Sequence, residues 1–465
     1  MALSEVLVQV KSCSGVMMLT FIMGMGIGWA SPGMEKMEAD EAPFGKAEMS
    51  QISQIVSIFD IGAMLGSWTS TLVFTVAGRK QTILVGPVAL TLWVVFTAIG
   101  TSPGMLIAAR ILAGMSMGIV LSFAFIYAGE VTTPKVRGPL ILATTLLMPT
   151  GQLVAFLTGP QVNWLAQSVY PAPFVAILFL CIFFLMEESP FYYASKNRPD
   201  DVVKSLRALR RNATDQEIRN EADTILGAIR QEREDAVTIW QMFSPPGAKK
   251  AALIVLVESS SLALLGVTCV LAYTNQIFTK TNGTIISATL SGVLVIVFEI
   301  FAICFAMYLI ERLGRRLQMC VAASVTCLSM TVLAVYCGLM EIGGHDMTAY
   351  NWVPLACLLA FIVGVGGGIN TIPQVLMSEL LDQRAKAVVA PVCMTIMALT
   401  SFGINYAFLP VTASYGTYVP FAFFAATNFL IGLFTLLVVP ETKGKTLVQV
   451  QEMLRGRRSE SKEVL

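Results

Sequence analysis

Three carboxyl groups stand inside long apolar stretches of this sequence, at Asp60, Glu258 and Glu299. Burying a carboxylate in hydrocarbon is costly, so such groups usually line a cavity, a solute pathway or a proton relay. Glu299 is the strongest candidate, because it could donate a hydrogen bond as a neutral acid, bind a cationic solute or exchange a proton. For Asp60 the alternative is a contact at a helix end, and for Glu258 a position near one membrane surface.

A second set of charges stands at the ends of apolar stretches and occurs twice in the chain. Gly78-Arg79-Lys80 recurs as Gly314-Arg315-Arg316, Glu130-Val131 as Glu379-Leu380, and Glu188-Ser189 as Glu441-Thr442. Partly desolvated pairs of arginine and carboxylate hold two helices together more firmly than exposed pairs do. The pattern predicts ion pairs that gate a pathway. The alternative, that the basic residues only set the orientation in the membrane, does not require the acids.

The elements that carry these residues are membrane-spanning helices. Of the 465 residues, 55% are hydrophobic and only 13% charged, which is too little charge for the surface of a soluble chain. A spanning helix needs roughly 20 mostly apolar residues. The sequence contains twelve such stretches, at 12–31, 52–75, 82–100, 105–129, 138–159, 169–186, 250–278, 286–310, 318–340, 352–378, 388–411 and 417–439.

These stretches divide the chain into four predicted regions. Residues 1–186 and 250–439 each form a six-helix bundle, 187–249 form a cytoplasmic helical segment, and 440–465 form a cytoplasmic tail. In the segment, Thr214 and Glu217 fit a capping box that starts a second amphipathic helix. Acidic residues nearly balance the basic ones there, so we expect no nucleic-acid partner.

Lysine and arginine predict the orientation of the protein. Apart from Lys36, Lys46, Lys280 and Arg110, all of them lie on one side of the twelve spans or in the termini. The positive-inside rule therefore places both termini in the cytoplasm, with the plasma membrane as the expected location. Asn282 begins a glycosylation sequon in a short outer loop.

Catalysis and metal binding find no support in the sequence. The nine cysteines fall inside predicted spans without CxxC spacing, and the single histidine lies in a predicted outer loop. Buried cysteines without such spacing usually act as small hydrophobic residues. We therefore expect neither an enzyme nor a bound cofactor, and we expect a small solute and membrane lipid as partners.

Several motifs, taken in order, resemble those of the sugar porter family of the major facilitator superfamily. They are Gly78-Arg79-Lys80, Glu130 to Gly138, Glu188-Ser189-Pro190, Glu311 to Arg316 and Pro440 to Leu447. Gly28-Trp29-Ala30-Ser31-Pro32 is most similar to insect members that resemble trehalose transporters. The resemblance covers nearly the whole chain. It implies an all-α membrane protein with the major facilitator fold, in which twelve helices form two pseudo-symmetric six-helix bundles.

The resemblance also implies which residues gate the pathway and which bind the solute. The gating positions are Arg79, Glu130, Arg137, Glu188, Glu311, Arg315, Arg316, Glu379 and Glu441. The solute-binding positions are Thr145, Gln152, Thr268, Tyr273, Glu299 and Gln374. Of these, Gln152 and Tyr273 match the family pattern, whereas Thr145, Thr268, Glu299 and Gln374 replace its Gln, Asn, Asn and Trp. Gly26 stands where proton-coupled members carry an acid.

These observations predict transport of a sugar, a polyol or a similar small polar solute by alternating access. Facilitation is favoured over proton coupling because Gly26 lacks the coupling acid. Two alternatives remain open because much of the family's neutral hydrogen-bonding set is lost. One is a solute sensor that does not transport, and the other is a transporter of an organic cation drawn to Glu299.

Overall fold

A computed structural model describes residues 3–234, 246–280, 287–345, 347–381 and 383–443, together with 449 and 453. Twelve helical stretches within these residues are long and apolar enough to cross a membrane. The prediction of an all-α protein with twelve spans is therefore confirmed. We number these stretches as spans one to twelve in chain order. The predicted glycosylation site, Asn282, lies outside the described residues.

The described residues form two compact units. The first contains those within 1–29, 36–46 and 58–237, and the second those within 30–35, 47–57 and 238–465. Spans one to six are built from the helices Leu3–Gly28 with Ala30–Glu38, Met49–Val76, Arg79–Ile99, Pro103–Ile119 with Val120–Ala124 and Phe125–Val131, Pro134–Thr158, and Trp164–Val169 with Ala172–Leu180 and Cys181–Leu185. Spans seven to twelve are built from Pro246–Leu264 with Val267–Ala272, Ala288–Leu313, Arg315–Glu341, Val353–Gly364 with Val365–Ile369 and Ile372–Leu380, Gln383–Tyr415, and Tyr418–Val438.

Small residues bring spans two and four of the first unit into direct backbone contact. A Cβ added at Gly62 or Gly66 would overlap the carbonyl oxygen of Ile111 or Met115, and one added at Gly114 would overlap that of Phe59. Glycine at these positions lets the two helices approach closely. These glycines belong to two GxxxG motifs, Gly62 to Gly66 and Gly114 to Gly118, which here serve close helix packing.

Spans seven and ten are both interrupted within the stretches that the sequence predicts as single spans. In span ten, a π-helical turn over Val365–Ile369 separates two α-helices, as the glycine run before Pro373 suggests. In span seven, Gly266 adopts a left-handed conformation with φ 83°, where an added Cβ would lie 2.7 Å from the Phe424 ring. Residues 250–278 therefore do not form the continuous helix that their apolar character predicts.

The segment after span six folds onto the first unit as short helices, Pro190–Ser195, Pro199–Leu209 and Asp215–Glu234. Their apolar faces share a small core that includes Val202, Leu206, Ile218 and Ala222. Glu217 accepts from the backbone N–H and hydroxyl of Thr214, at 2.7 and 2.8 Å, so the predicted capping box is confirmed.

Candidate functional site

A cluster of charges joins spans three and four to the segment after span six in the first unit. Arg79, the first residue of its helix, donates from Nε and Nη2 to the two carboxylate oxygens of Glu130, both at 2.9 Å. Ser189 also donates its hydroxyl to Glu130. The side chains of Arg79 and Glu130 are 10% and 14% exposed, so water screens this bidentate pair weakly.

Glu188 completes this cluster by occupying the N-terminus of the helix that Arg79 begins. Its carboxylate accepts from the backbone N–H groups of Arg79 at 2.9 Å and Lys80 at 3.2 Å. A carboxylate is favoured there by the unpaired N–H groups and the helix dipole. Burial nevertheless raises the pKa of Glu188 above its usual value, against the lowering effect of these hydrogen bonds. Gly78 has φ 105°, and an added Cβ would lie 2.6 Å from Glu188.

The second unit repeats this arrangement with spans nine and ten and the segment after span twelve. Arg315 donates from Nη2 and Nε to Glu379 Oε1 at 2.8 and 3.1 Å, and Thr442 donates to the other oxygen of Glu379. Thr442 thus takes the place of Ser189. We call the set of Arg79, Glu130, Glu188 and Ser189 the first clamp. The set of Arg315, Glu379, Glu441 and Thr442 is the second clamp.

Glu441 plays the part of Glu188 but titrates differently. It accepts from the backbone N–H groups of Arg315 and Lys443 at 3.0 Å and of Arg316 at 3.1 Å. Burial opposes its ionisation, yet these backbone donors together lower the pKa of Glu441 below its usual value. The two clamps therefore share a geometry but differ in how readily their helix-capping carboxylate takes up a proton.

Two of the other predicted gating residues lie beside the clamps with different contacts. Arg137 is exposed and donates to the carbonyl oxygen of Thr132 at 3.3 Å. Arg316 donates its backbone N–H to Glu441 and its guanidinium to the carbonyl oxygen of Leu436. The side chain of Glu311 lies outside the described part of the chain.

Gln152 is the most distinctive polar residue in the core of the first unit. Its side chain sits on span five at 2% exposure, and neither end of its amide has a hydrogen-bond partner among the described residues. The indole N–H groups of Trp29 and Trp93 are likewise buried and unpartnered there. By contrast, Thr145, the other predicted position on span five, donates to the carbonyl oxygen of Ile141 at 2.9 Å.

A buried arginine lies beside these groups. Arg110 on span four donates to the carbonyl oxygen of Gly26 at 2.7 Å. Its guanidinium also lies 4.5 Å from the ring centre of Phe59 and 5.5 Å from that of Trp29. Aromatic faces attract a desolvated cation, so these contacts help to hold Arg110 in the interior of the unit.

The core of the second unit contains a hydrogen-bonded chain on spans seven and eleven. Ser401 donates to the hydroxyl of Thr268 at 2.9 Å, and the amide of Asn405 donates to Ser401 at 3.3 Å. Tyr273 donates to the carbonyl oxygen of Asn405 at 2.8 Å and stacks on Phe408. The phenol proton of Tyr273 is thus committed within the protein, and the Thr268 hydroxyl is the acceptor at the other end of the chain.

Two buried carboxyl groups belong to the same unit but have different surroundings. Glu299 on span eight is 2% exposed, and its Oε2 has no partner among the described residues. Glu258 on span seven is fully buried and shares a hydrogen bond of 2.8 Å with Thr435 on span twelve. Glu258 therefore lies in the packed interior of the second unit. Gln374, the predicted position on span ten, is exposed.

Ser401, Asn405 and Arg110 are not among the site residues predicted from the sequence. A Ser and an Asn four positions apart share one face of a helix, which is the signal that marks span eleven. Arg110 is the one arginine inside a predicted span, which is a signal of the same kind. Neither pattern indicates which helix lies opposite, so the contacts of these residues can be identified only from the structure.

Comparison with known proteins gives a family match and several relatives. A model for sugar (and other) transporters matches residues 28–454. A facilitated trehalose transporter of Apis mellifera ligustica is 26% identical over 457 residues, covering 96% of this chain and 88% of the relative. The facilitated glucose transporter member 6 of solute carrier family 2 from Mus musculus is 28% identical over 451 residues, covering 94% and 89%.

Solved structures give the fold independently. The xylose transporter XylE from E. coli, in a partially occluded inward open conformation, matches with a TM-score of 0.75 at 17% identity, over 94% of this chain and 99% of that one. The proton:xylose symporter XylE bound to 6-bromo-6-deoxy-D-glucose matches with a TM-score of 0.73 at 16% identity, over 96% and 99%. The predicted major facilitator fold is confirmed.

Proposed function

We propose, because this chain belongs to the sugar (and other) transporter family, that it carries a sugar, a polyol or a similar small polar solute across a membrane by alternating access. The facilitated trehalose and glucose transporters among its relatives support a neutral solute of this class. The observation that carries the proposal is the amide of Gln152, which is buried and unpartnered among the described residues.

A buried amide without partners costs free energy unless something fills its hydrogen bonds. An amide offers two donors and one acceptor oxygen, which suits the hydroxyl groups of a sugar or polyol. The unpartnered indole N–H groups of Trp29 and Trp93 add further donors in the same unit. We assign ligand contacts in the first unit to Gln152 and, in the second, to Thr268 and Glu299.

Facilitated transport is the form of the activity that we propose. Gly26 has no carboxyl group, and Arg110 donates to its backbone carbonyl oxygen. A proton-coupled mechanism that uses an acid at this position is therefore not available to the chain. The two clamps hold the ends of spans together within each unit, and we assign them the gating role.

Glu299 supports a second candidate function, transport linked to positive charge. Its buried oxygen without a partner among the described residues would suit a proton or an organic cation if the group were ionised. In the first candidate the same group is neutral and donates to a ligand hydroxyl.

We place both termini in the cytoplasm, as the positive-inside rule favours. The membrane that we propose is the plasma membrane.

Solute exchange into proteoliposomes tests the proposal. The purified full chain would be reconstituted and assayed for counterflow of labelled hexoses, disaccharides, polyols and organic cations, with and without an imposed proton gradient. We expect counterflow of a neutral polyhydroxylated solute that does not need the gradient. Cation counterflow alone would support the second candidate. Saturable binding of a sugar without any counterflow would contradict transport and indicate a sensor.

A further inference from the structure

A groove on the surface of the second unit runs between spans nine and twelve. Gln152, Thr268 and Glu299 are not among the residues that line it. The groove has a volume of about 410 Å³. Its walls are formed by one face of span nine between Cys320 and Thr331 and one face of span twelve between Asn428 and Leu436. Both walls are membrane-spanning helices with exposed apolar side chains, such as Leu328 and Phe429, so we take the groove to open toward the hydrocarbon of the bilayer.

The polar atoms along the groove are already bonded within the protein. Ser324 and Thr331 donate their hydroxyls to the carbonyl oxygens of Cys320 and Cys327, both at 2.8 Å. The thiol of Cys327 contacts the carbonyl oxygen of Ala425 at 3.4 Å. A polar solute would therefore find few partners, whereas Leu328 and Phe429, 66% and 62% exposed, present a surface suited to an apolar chain.

One end of the groove is closed by a cation. Arg316 stands four residues before Cys320 in the same helix, so both lie on one face of span nine. Its guanidinium donates to the carbonyl oxygen of Leu436, the last groove residue on span twelve. Its Nε is buried without a partner among the described residues, and no ion pair of this guanidinium occurs among the described side chains, so its charge is not neutralised by a described carboxylate side chain.

The length of the groove fits one fatty acyl chain. From Cys320 to Thr331 a helix rises about 16 Å, at 1.5 Å per residue. Half of the hydrocarbon core of a bilayer is about 15 Å thick. A chain of one leaflet would thus lie along the groove with its headgroup beside Arg316, at the end of span nine that the basic loops share.

From this geometry we propose that the groove binds a phospholipid with an anionic headgroup, its acyl chain between spans nine and twelve and its phosphate at Arg316. Basic pockets between spanning helices are favourable sites for such headgroups. The groove shares no lining residue with the positions assigned to the solute, and the proposal does not depend on which solute is carried. The lipid would bridge two helices whose ends the second clamp also joins.

Photocrosslinking tests this site directly. The purified full chain would be placed in nanodiscs that contain phosphatidylglycerol or phosphatidylcholine with a diazirine in the acyl chain. Labelled peptides would be mapped by mass spectrometry. We expect phosphatidylglycerol to label residues 320–331 and 428–436 about fivefold more than phosphatidylcholine, as one basic residue near an anionic lipid would give.

Matched variants separate the charge from the groove. Arg316→Gln should remove the preference for phosphatidylglycerol, whereas Arg312→Gln, which removes an exposed charge that lies over Tyr308, should retain it. Ser324→Phe should reduce labelling by both lipids, because it fills the groove without altering Arg316. Equal labelling by the two lipids, a preference that survives Arg316→Gln, or crosslinks to a second copy of the chain in place of lipid would overturn the proposal.

Discussion

Gln152 and Glu299 are both buried, and each has a polar side-chain atom without a hydrogen-bond partner among the described residues. Gln152 carries a neutral amide, whereas Glu299 carries a group that can ionise. An amide is neutral at every pH, so the hydrogen bonds that Gln152 offers to a ligand do not change with pH. A carboxyl group has two states, and its state decides which ligand it accepts. If Glu299 contacts the solute, as we propose, its protonation decides whether a neutral or a cationic solute is preferred.

Glu299→Gln keeps the size of the side chain and supplies an amide donor while removing the titration. We expect this variant to retain solute counterflow with the pH profile of the parent, because the neutral-donor interpretation needs only the hydrogen bond. The measurement is counterflow across the pH range in which a buried carboxyl group titrates.

Glu258→Gln is the matched control for Glu299→Gln. It removes another buried carboxyl group from the same unit, one that is bonded to Thr435 and is not assigned to the ligand. Loss of pH dependence or of cation transport in Glu299→Gln, but not in Glu258→Gln, would instead establish the charge-linked mechanism.

The two clamps show how a sequence motif that occurs twice forms the same set of helix contacts twice. Each one places an arginine at the first position of a helix, where glycine with positive φ lets a carboxylate approach the helix N-terminus. The motif therefore specifies a helix start, an ion pair and a cap together. Each of the two ion pairs lies within one unit, so the clamps stiffen that unit and hold the ends of its spans together.

The capping carboxylates should give the clamps opposite pH dependence. The folded-state pKa of Glu441 is lowered, so its stabilising contribution is present above the unfolded-state pKa and is lost as the pH falls through the folded-state value. The folded-state pKa of Glu188 is raised by burial, so its contribution is present at low pH and is lost as the pH rises.

Thermal unfolding of Glu441→Gln and Glu188→Gln across a pH series measures this difference. The parent should exceed Glu441→Gln in melting temperature most at neutral pH, and the gap should shrink on acidification. For Glu188→Gln, the melting temperature of the parent should be most favourable relative to the variant at low pH, and this advantage should shrink as the pH rises. A gap for Glu441→Gln that widens as the pH falls would contradict the assignment.

The broken spans mark the limit of what the sequence predicts about elements. Consecutive glycines before Pro373 indicate the π-helical turn of span ten. The left-handed Gly266 in span seven is a single glycine in an apolar run, and the Phe424 ring from span twelve leaves no room for a side chain there. A contact so distant in sequence leaves no mark on the local pattern, which predicts a continuous helix.

Hydropathy and the order of the motifs predict the twelve spans and the major facilitator fold. Apolar length is a local property, and it is sufficient because the bilayer requires every backbone group to be satisfied within a helix. The polar site is harder to predict. The resemblance gives Gln152 and Thr268, whereas the bond from Ser401 to Thr268 joins two spans 133 residues apart.

Counterflow by Gln152→Ala measures whether Gln152 binds the transported solute. We expect this variant to need about tenfold or more solute for half-maximal exchange, because one or two hydrogen bonds to the solute are lost. Gln161→Ala, which removes an exposed amide bonded to the carbonyl oxygen of Leu157, should match the parent. Equal solute dependence in the parent, Gln152→Ala and Gln161→Ala would contradict the claim that Gln152 binds the transported solute.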